Sequence, residues 1–136
     1  MKKYQLIEHT ADIGLAAYGQ NLAQAFSNAA YGLFSIITDL RRVKIIESRV
    51  VELQEKSAED LLFAWLNYLI YLFDAEQVLL KKFDIQEFNE HHIKSVCYGE
   101  RVDCSRHNIK LGVKAATYHM LKVDREKNRV QVIFDI

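Results

Sequence analysis

Two stretches of the chain place apolar residues at helical spacing. From Asn21 to about Thr38, the residues Leu22, Ala25, Phe26, Ala29, Ala30, Leu33, Phe34 and Ile37 share one face of a 3.6-residue period, which predicts a helix. Asn21 marks its start, because a short amide oxygen there accepts a bond from an otherwise orphaned N–H of the first turn. Ser57-Ala58-Glu59-Asp60 has capping-box spacing and precedes Leu61, Leu62, Trp65, Leu66, Leu69, Ile70 and Phe73, so a second helix is expected to run to about Asp74. Tyr68 and Tyr71 flank that stripe, where a ring packs and a hydroxyl stays wet.

The remaining segments read as strands rich in β-branched and aromatic residues: Tyr4 to Ile7, Ile13 to Tyr18, Val43 to Leu53, Phe83 to Phe88, His92 to Val102, Val113 to Val123 and Arg129 to Phe134. In the third of these, Ile45-Ile46 and Val50-Val51 break the two-residue alternation, which suggests a bulge or burial on both faces. The order ββαβα followed by four closely connected strands cannot form an all-parallel sheet, since parallel crossovers need a dozen or more residues. The expected class is α+β, a two-layer sandwich of a mostly antiparallel mixed β-sheet packed against two long helices. A two-residue turn at Lys127-Asn128 would set Val123 opposite Val132 and Leu121 opposite Phe134. The other face of that hairpin would then carry Lys122 beside Ile133 and Met120 beside Asp135, leaving a carboxylate at the end of the last strand.

Composition narrows the class of protein. A chain of 136 residues buries roughly two-thirds of its unfolded surface, enough for a core without staples, and half of its residues are hydrophobic. It has no proline and five glycines, with no linker or repeat, so residues 1–136 read as one domain. Eighteen Lys and Arg balance eighteen Asp and Glu, which excludes a basic nucleic-acid-binding domain while leaving a local basic patch open. Cys97 and Cys104 match neither a redox pair nor a zinc knuckle and read as reduced thiols. With no apolar signal region and no run of ~18 apolar residues, a soluble cytoplasmic protein is expected, with no membrane partner.

Candidate chemistry lies in three places: His9-Thr10-Ala11-Asp12-Ile13-Gly14, Lys114 through His119, and Asp135-Ile136. Asp12 reads either as an Asx-turn residue or as a ligand, and Gly14 permits close backbone approach or a positive φ. Asp135 beside a terminal Ile136 carboxylate would form a hard-cation site if a third segment supplied another oxygen; a frayed terminus is the alternative. Paired anions without a cation repel, so folding must separate them, raise a pKa or bind a metal. No histidine shows metal-ligand spacing, His91-His92 reads as a turn, and nothing selects zinc binding by Cys97, Cys104, His107 and His9. Nucleotide loops and nucleophile elbows are missing from the sequence.

The same three places carry a family resemblance. Glu8 to Gly14 resembles the HTADIG signature of the archease family, Leu66 to Asp74 resembles its WLNxLLYLFD helix, Val113 to His119 its VKAxTYH strand, and Val132 to Ile136 its VIFDI ending. Ala116 departs from the pattern at a place often filled by a β-branched residue, and Cys104 to His107 matches no family motif. The resemblance implies an accessory protein and not an enzyme: archeases activate the RNA-splicing ligase that joins a 3′-phosphate or 2′,3′-cyclic phosphate end to a 5′-hydroxyl end, promoting its guanylylation and turnover. It further implies a metal site at Asp12, Asp135 and Ile136 for calcium, magnesium or manganese, a functional Lys114, and His9 and His119 as neighbours of the site. Two other readings compete, a chaperone of an RNA-modifying enzyme such as a tRNA methyltransferase and a small metal-dependent hydrolase. For the hydrolase the sequence identifies neither a general base nor a pocket. The neutral charge fits docking on a ligase better than strong direct binding of RNA.

Overall fold

The first helix forms where its cap and stripe place it. In a computed structural model describing residues 2–8 and 12–136, α1 spans Leu22–Ile37 and the Asn21 side chain accepts the N–H of Gln24 at 2.8 Å. The faces of Ala25, Phe26, Ala29, Ala30, Leu33, Phe34 and Ile37 are fully buried. Helix α2 spans Ala58–Glu76, its Ser57 hydroxyl accepts the N–H of Asp60, and Glu59 and Asp60 in the first turn complement the helix dipole. It ends at Gln77 in the left-handed conformation, a position usually given to glycine. Trp65 locks the two helices: its ring is fully buried, edge-on to Phe83, and its Nε1 donates to the Phe26 carbonyl at 3.0 Å.

The strands are β1 (Tyr4–Glu8), β2 (Asp12–Tyr18), β3 (Glu47–Gln54), β4 (Val78–Asn89), β5 (His92–Arg101), β6 (Ala115–Asp124) and β7 (Arg129–Asp135). All the described pairs are antiparallel, which agrees with the expected α+β class, and none is the parallel pair that a mixed sheet would contain. They divide into two sheets, one ordered β1-β2-β7-β6 and one ordered β3-β5-β4. Helix α1 packs on both sheets, chiefly through β2 and β4, whereas α2 covers β6. Leu15, Ala17, Val130, Val132 and Phe134 therefore face the helices from the centre of the larger sheet.

Two expectations are corrected. The β6–β7 turn holds four residues, Arg125 to Asn128, so Val123 lies opposite Val130 and not Val132. The Asp124 side chain accepts the N–H groups of both Glu126 and Lys127, which builds a longer turn, and Asn128 takes the left-handed conformation. A bulge then sets the four residues Tyr118 to Leu121 against Val132 alone, so neither Leu121–Phe134 nor Met120–Asp135 pairs. The third strand begins at Glu47, after a 3-10 turn at Leu40–Arg42, and pairs with β5 without a bulge. Ile45 and Ile46 precede it and are exposed, while Val50 at 63% and Val51 at 1% exposure preserve the alternation.

Candidate metal centre

The register of the larger sheet brings the two candidate aspartates together. Asp12, first in β2, lies directly opposite Asp135, last in β7, although the whole chain separates them in sequence. Their neighbours Ile13 and Phe134 are also paired and point to the helices, so alternation puts both aspartates on the other face. Side chains directly opposite in an antiparallel pair have Cβ atoms roughly 4.5–5.5 Å apart, and like charges there are destabilising. An oxygen-only donor set at that spacing fits a hard divalent cation, whose ligand distances are about 2.0–2.6 Å. Ile136 follows Asp135 directly and is half-buried against the core.

Lys114 comes to the same place from a third segment. Its backbone N–H donates to the Asp135 carbonyl at 2.8 Å, and the next residue, Ala115, lies opposite Asp135. The Lys114 side chain is exposed. Gly14 is where the backbone closes up: a Cβ there would stand 2.9 Å from that of Ile7 and 3.0 Å from Ile133 Cδ1, so close approach, and not a positive φ, requires glycine. His119 sits on the exposed bulge of β6, four residues beyond Ala115, at most about 13 Å along a strand rising ~3.3 Å per residue. His9 lies outside the described residues.

A residue noted only as part of a helix motif holds this edge in register. Asn67 Oδ1 accepts the Ala116 N–H at 2.9 Å and its Nδ2 donates to the Ala116 carbonyl at 3.1 Å, so an amide side chain on α2 pairs with the outer edge of β6 as another strand would. The signal in the sequence was a lone amide inside an apolar helical run. Nearby, Tyr118 stacks on Phe63 with ring centroids 4.0 Å apart and donates its hydroxyl to Asp60 at 2.6 Å, a bond that pushes the phenol up to about 12. Thr117 Oγ1 donates to the Ile133 carbonyl.

The segment between β5 and Lys114 is fastened from below. Glu100, 4% exposed, accepts from the Arg106 guanidinium, the Lys44 N–H and His107, and the Arg106 bonds above all pull its carboxyl down to about 2 against the opposing effect of burial. The Asp103 N–H donates to His107 Nδ1, so the ring proton sits on Nε2, facing Glu100 and the Arg42 carbonyl. Further along, Thr38 Oγ1 donates to Asn108 O and Lys110 N–H to Ile37 O. His107 is thus a structural residue. Cys97 is buried, with its thiol pushed up to about 11 by desolvation, and Cys104 is exposed; neither joins a metal-ligand group among the described residues. His91 lies in the β4–β5 turn as expected, whereas His92 opens β5. No described helix is long and apolar enough to cross a membrane.

Comparison with known proteins adds an independent line. A protein archease of Sulfurisphaera tokodaii is 39% identical over 130 residues, covering 94% of this chain and 93% of the relative. One from Methanosarcina acetivorans is 37% identical over 141 residues, covering 99% and 97%. The solution structure of Methanobacterium thermoautotrophicum protein 1598 superposes with a TM-score of 0.80 at 32% identity over 100% of both chains. The crystal structure of an archease from Thermotoga maritima, described as a possible chaperone, shares the fold with a TM-score of 0.63 at 22% identity, covering 96% and 94%. The model of the Archease protein family (MTH1598/TM1083) matches residues 4–136, and with motifs, fold and relatives in agreement this chain belongs to the archease family.

Proposed function

We propose that this protein activates an RNA-splicing ligase, the enzyme that joins 3′-phosphate or 2′,3′-cyclic phosphate ends to 5′-hydroxyl ends, by promoting its guanylylation and turnover. The observation that carries the reading is the pairing of Asp12 with Asp135, with Lys114 hydrogen-bonded through its backbone beside them. Asp12, Asp135 and the Ile136 carboxylate would hold one divalent cation, calcium, magnesium or manganese. When bound, such an ion supplies positive charge that orients phosphate oxygens. The exposed Lys114 ammonium attracts a triphosphate as a mobile point charge, while its backbone bond keeps the segment at the carboxylates. In this reading the protein is an accessory factor that completes the partner's site and does no chemistry alone. The balanced net charge supports docking on a protein over tracking RNA.

Single-turnover guanylylation of the ligase, with saturating amounts of each variant, tests the reading. Asp12→Ala should abolish stimulation and Lys114→Ala should weaken it, while both variants melt within a few degrees of the parent. Normal stimulation by a folded Asp12→Ala protein would overturn the proposal. It would leave passive chaperoning of an RNA-processing enzyme, in line with the words "possible chaperone" attached to the Thermotoga maritima protein, as the better account.

A further inference from the structure

The smaller sheet carries a second group of metal-ligating side chains, remote from the aspartate pair. Glu52 of β3, Glu87 of β4 and His92 of β5 each offer one ligand atom, and the three atoms lie within 4.8 Å of one another. Glu52 and Glu87 both pair with Lys94, and His92 stands two residues along β5, so all three candidate ligands share one face of the sheet. Glu87 reaches that face through a β-bulge. Ile85 pairs with Ser95 and Glu87 with Lys94, which leaves Gln86 as the extra residue. Without the bulge Glu87 would lie opposite buried Ile93 and point at the core; with it, Phe88 takes the inward place and packs edge-on against Phe26.

The imidazole is already seated. Its side chain is 16% exposed, with Nε2 at 2.7 Å from Glu52 and Nδ1 at 3.9 Å from Glu87. We propose that Glu52, Glu87 and His92 bind a divalent transition ion of the zinc class. Imidazole nitrogen with carboxylate oxygen is a zinc donor set, whereas calcium and magnesium take oxygen alone. Around an ion at about 2.1 Å, tetrahedral donors sit roughly 3.4 Å apart, so rotamer changes in the two flexible glutamates close the site. One ligand comes from each of three adjacent strands, so the ion ties the outer strands β3 and β4 across β5. Lys94, opposite both glutamates, is the charge that opposes it.

Zinc titration by calorimetry, with cobalt d–d absorption as a reporter of tetrahedral coordination, tests the site in the Asp12→Asn/Asp135→Asn protein, which lacks the other carboxylate pair. One equivalent of zinc should bind and raise the melting temperature. His92→Gln and Glu87→Gln should each weaken binding tenfold or more, and Lys94→Met should tighten it. No saturable zinc binding, or binding that both His92→Gln and Glu87→Gln leave unchanged, would overturn the proposal and identify the group as surface ion pairs only. Because these side chains lie on the other sheet, either result leaves the ligase reading standing.

Discussion

Replacing Asn67 by alanine probes the link between α2 and the edge strand that presents Lys114. The side chain makes both bonds to Ala116, accepting its N–H at 2.9 Å and donating to its carbonyl at 3.1 Å, and Ala116 is only 3% exposed. Each such bond contributes about 0.5–1.5 kcal/mol net, and a buried group left without a partner costs about 1–3 kcal/mol. Water can reach part of an edge strand, so the combined loss should be about 2–3 kcal/mol. For a chain of this size that lowers the melting temperature by roughly 6–12 °C. Denaturant unfolding and thermal melts measure the loss, and hydrogen exchange localises it, since the Ala116 amide should lose protection while the amides of α1 keep theirs. Asn67→Asp adds a test of sign: its carboxylate accepts the N–H but repels the Ala116 carbonyl, so the defect should shrink in acid, where the protonated group donates again. A loss below about 0.5 kcal/mol with the Ala116 amide still protected would refute the argument.

Glu100→Gln should destabilise the protein at pH 7 by about 2 kcal/mol, since it removes the charge that Arg106 and the Lys44 N–H solvate in a buried place. The native carboxyl is held near 2 against an ordinary 4.5, so this stabilisation is fully present above about pH 5 and is lost as pH falls toward 2; melts at pH 7 and pH 3 should show the gap between parent and variant narrowing. Gly99→Ala should abolish soluble expression, because a Cβ there would stand 1.8 Å from the Leu79 carbonyl of the neighbouring strand. Extending the chain beyond Ile136 should remove ligase stimulation with little change in the thermal melt, because it moves the carboxylate proposed to bind the ion; full stimulation by the extended protein would take Ile136 out of the site.

Periodicity together with the start signals was enough to locate both helices and their N-caps, because Asn21, Ser57 and the two apolar stripes act within one or two helical turns and need no distant partner. The motifs pointed to Asp12, Lys114 and Asp135, which the fold places side by side, and short connections were enough to exclude an all-parallel sheet. What the chain could not disclose locally was register. A four-residue turn held by Asp124, the bulge at Tyr118 to Leu121 and the second bulge at Gln86 each shift which residues face one another, and those shifts are decided by how β6 packs on α2 and how Phe88 finds Phe26. The left-handed Gln77 hid the start of β4 at Val78, since the sequence lacks the glycine that normally announces a helix end. Division of the strands into two sheets depends likewise on α1 having apolar partners on both sides. Asp12 and Asp135 meet only because β2 and β7 pair end to end across the full length of the chain, a long-range contact that no local pattern encodes.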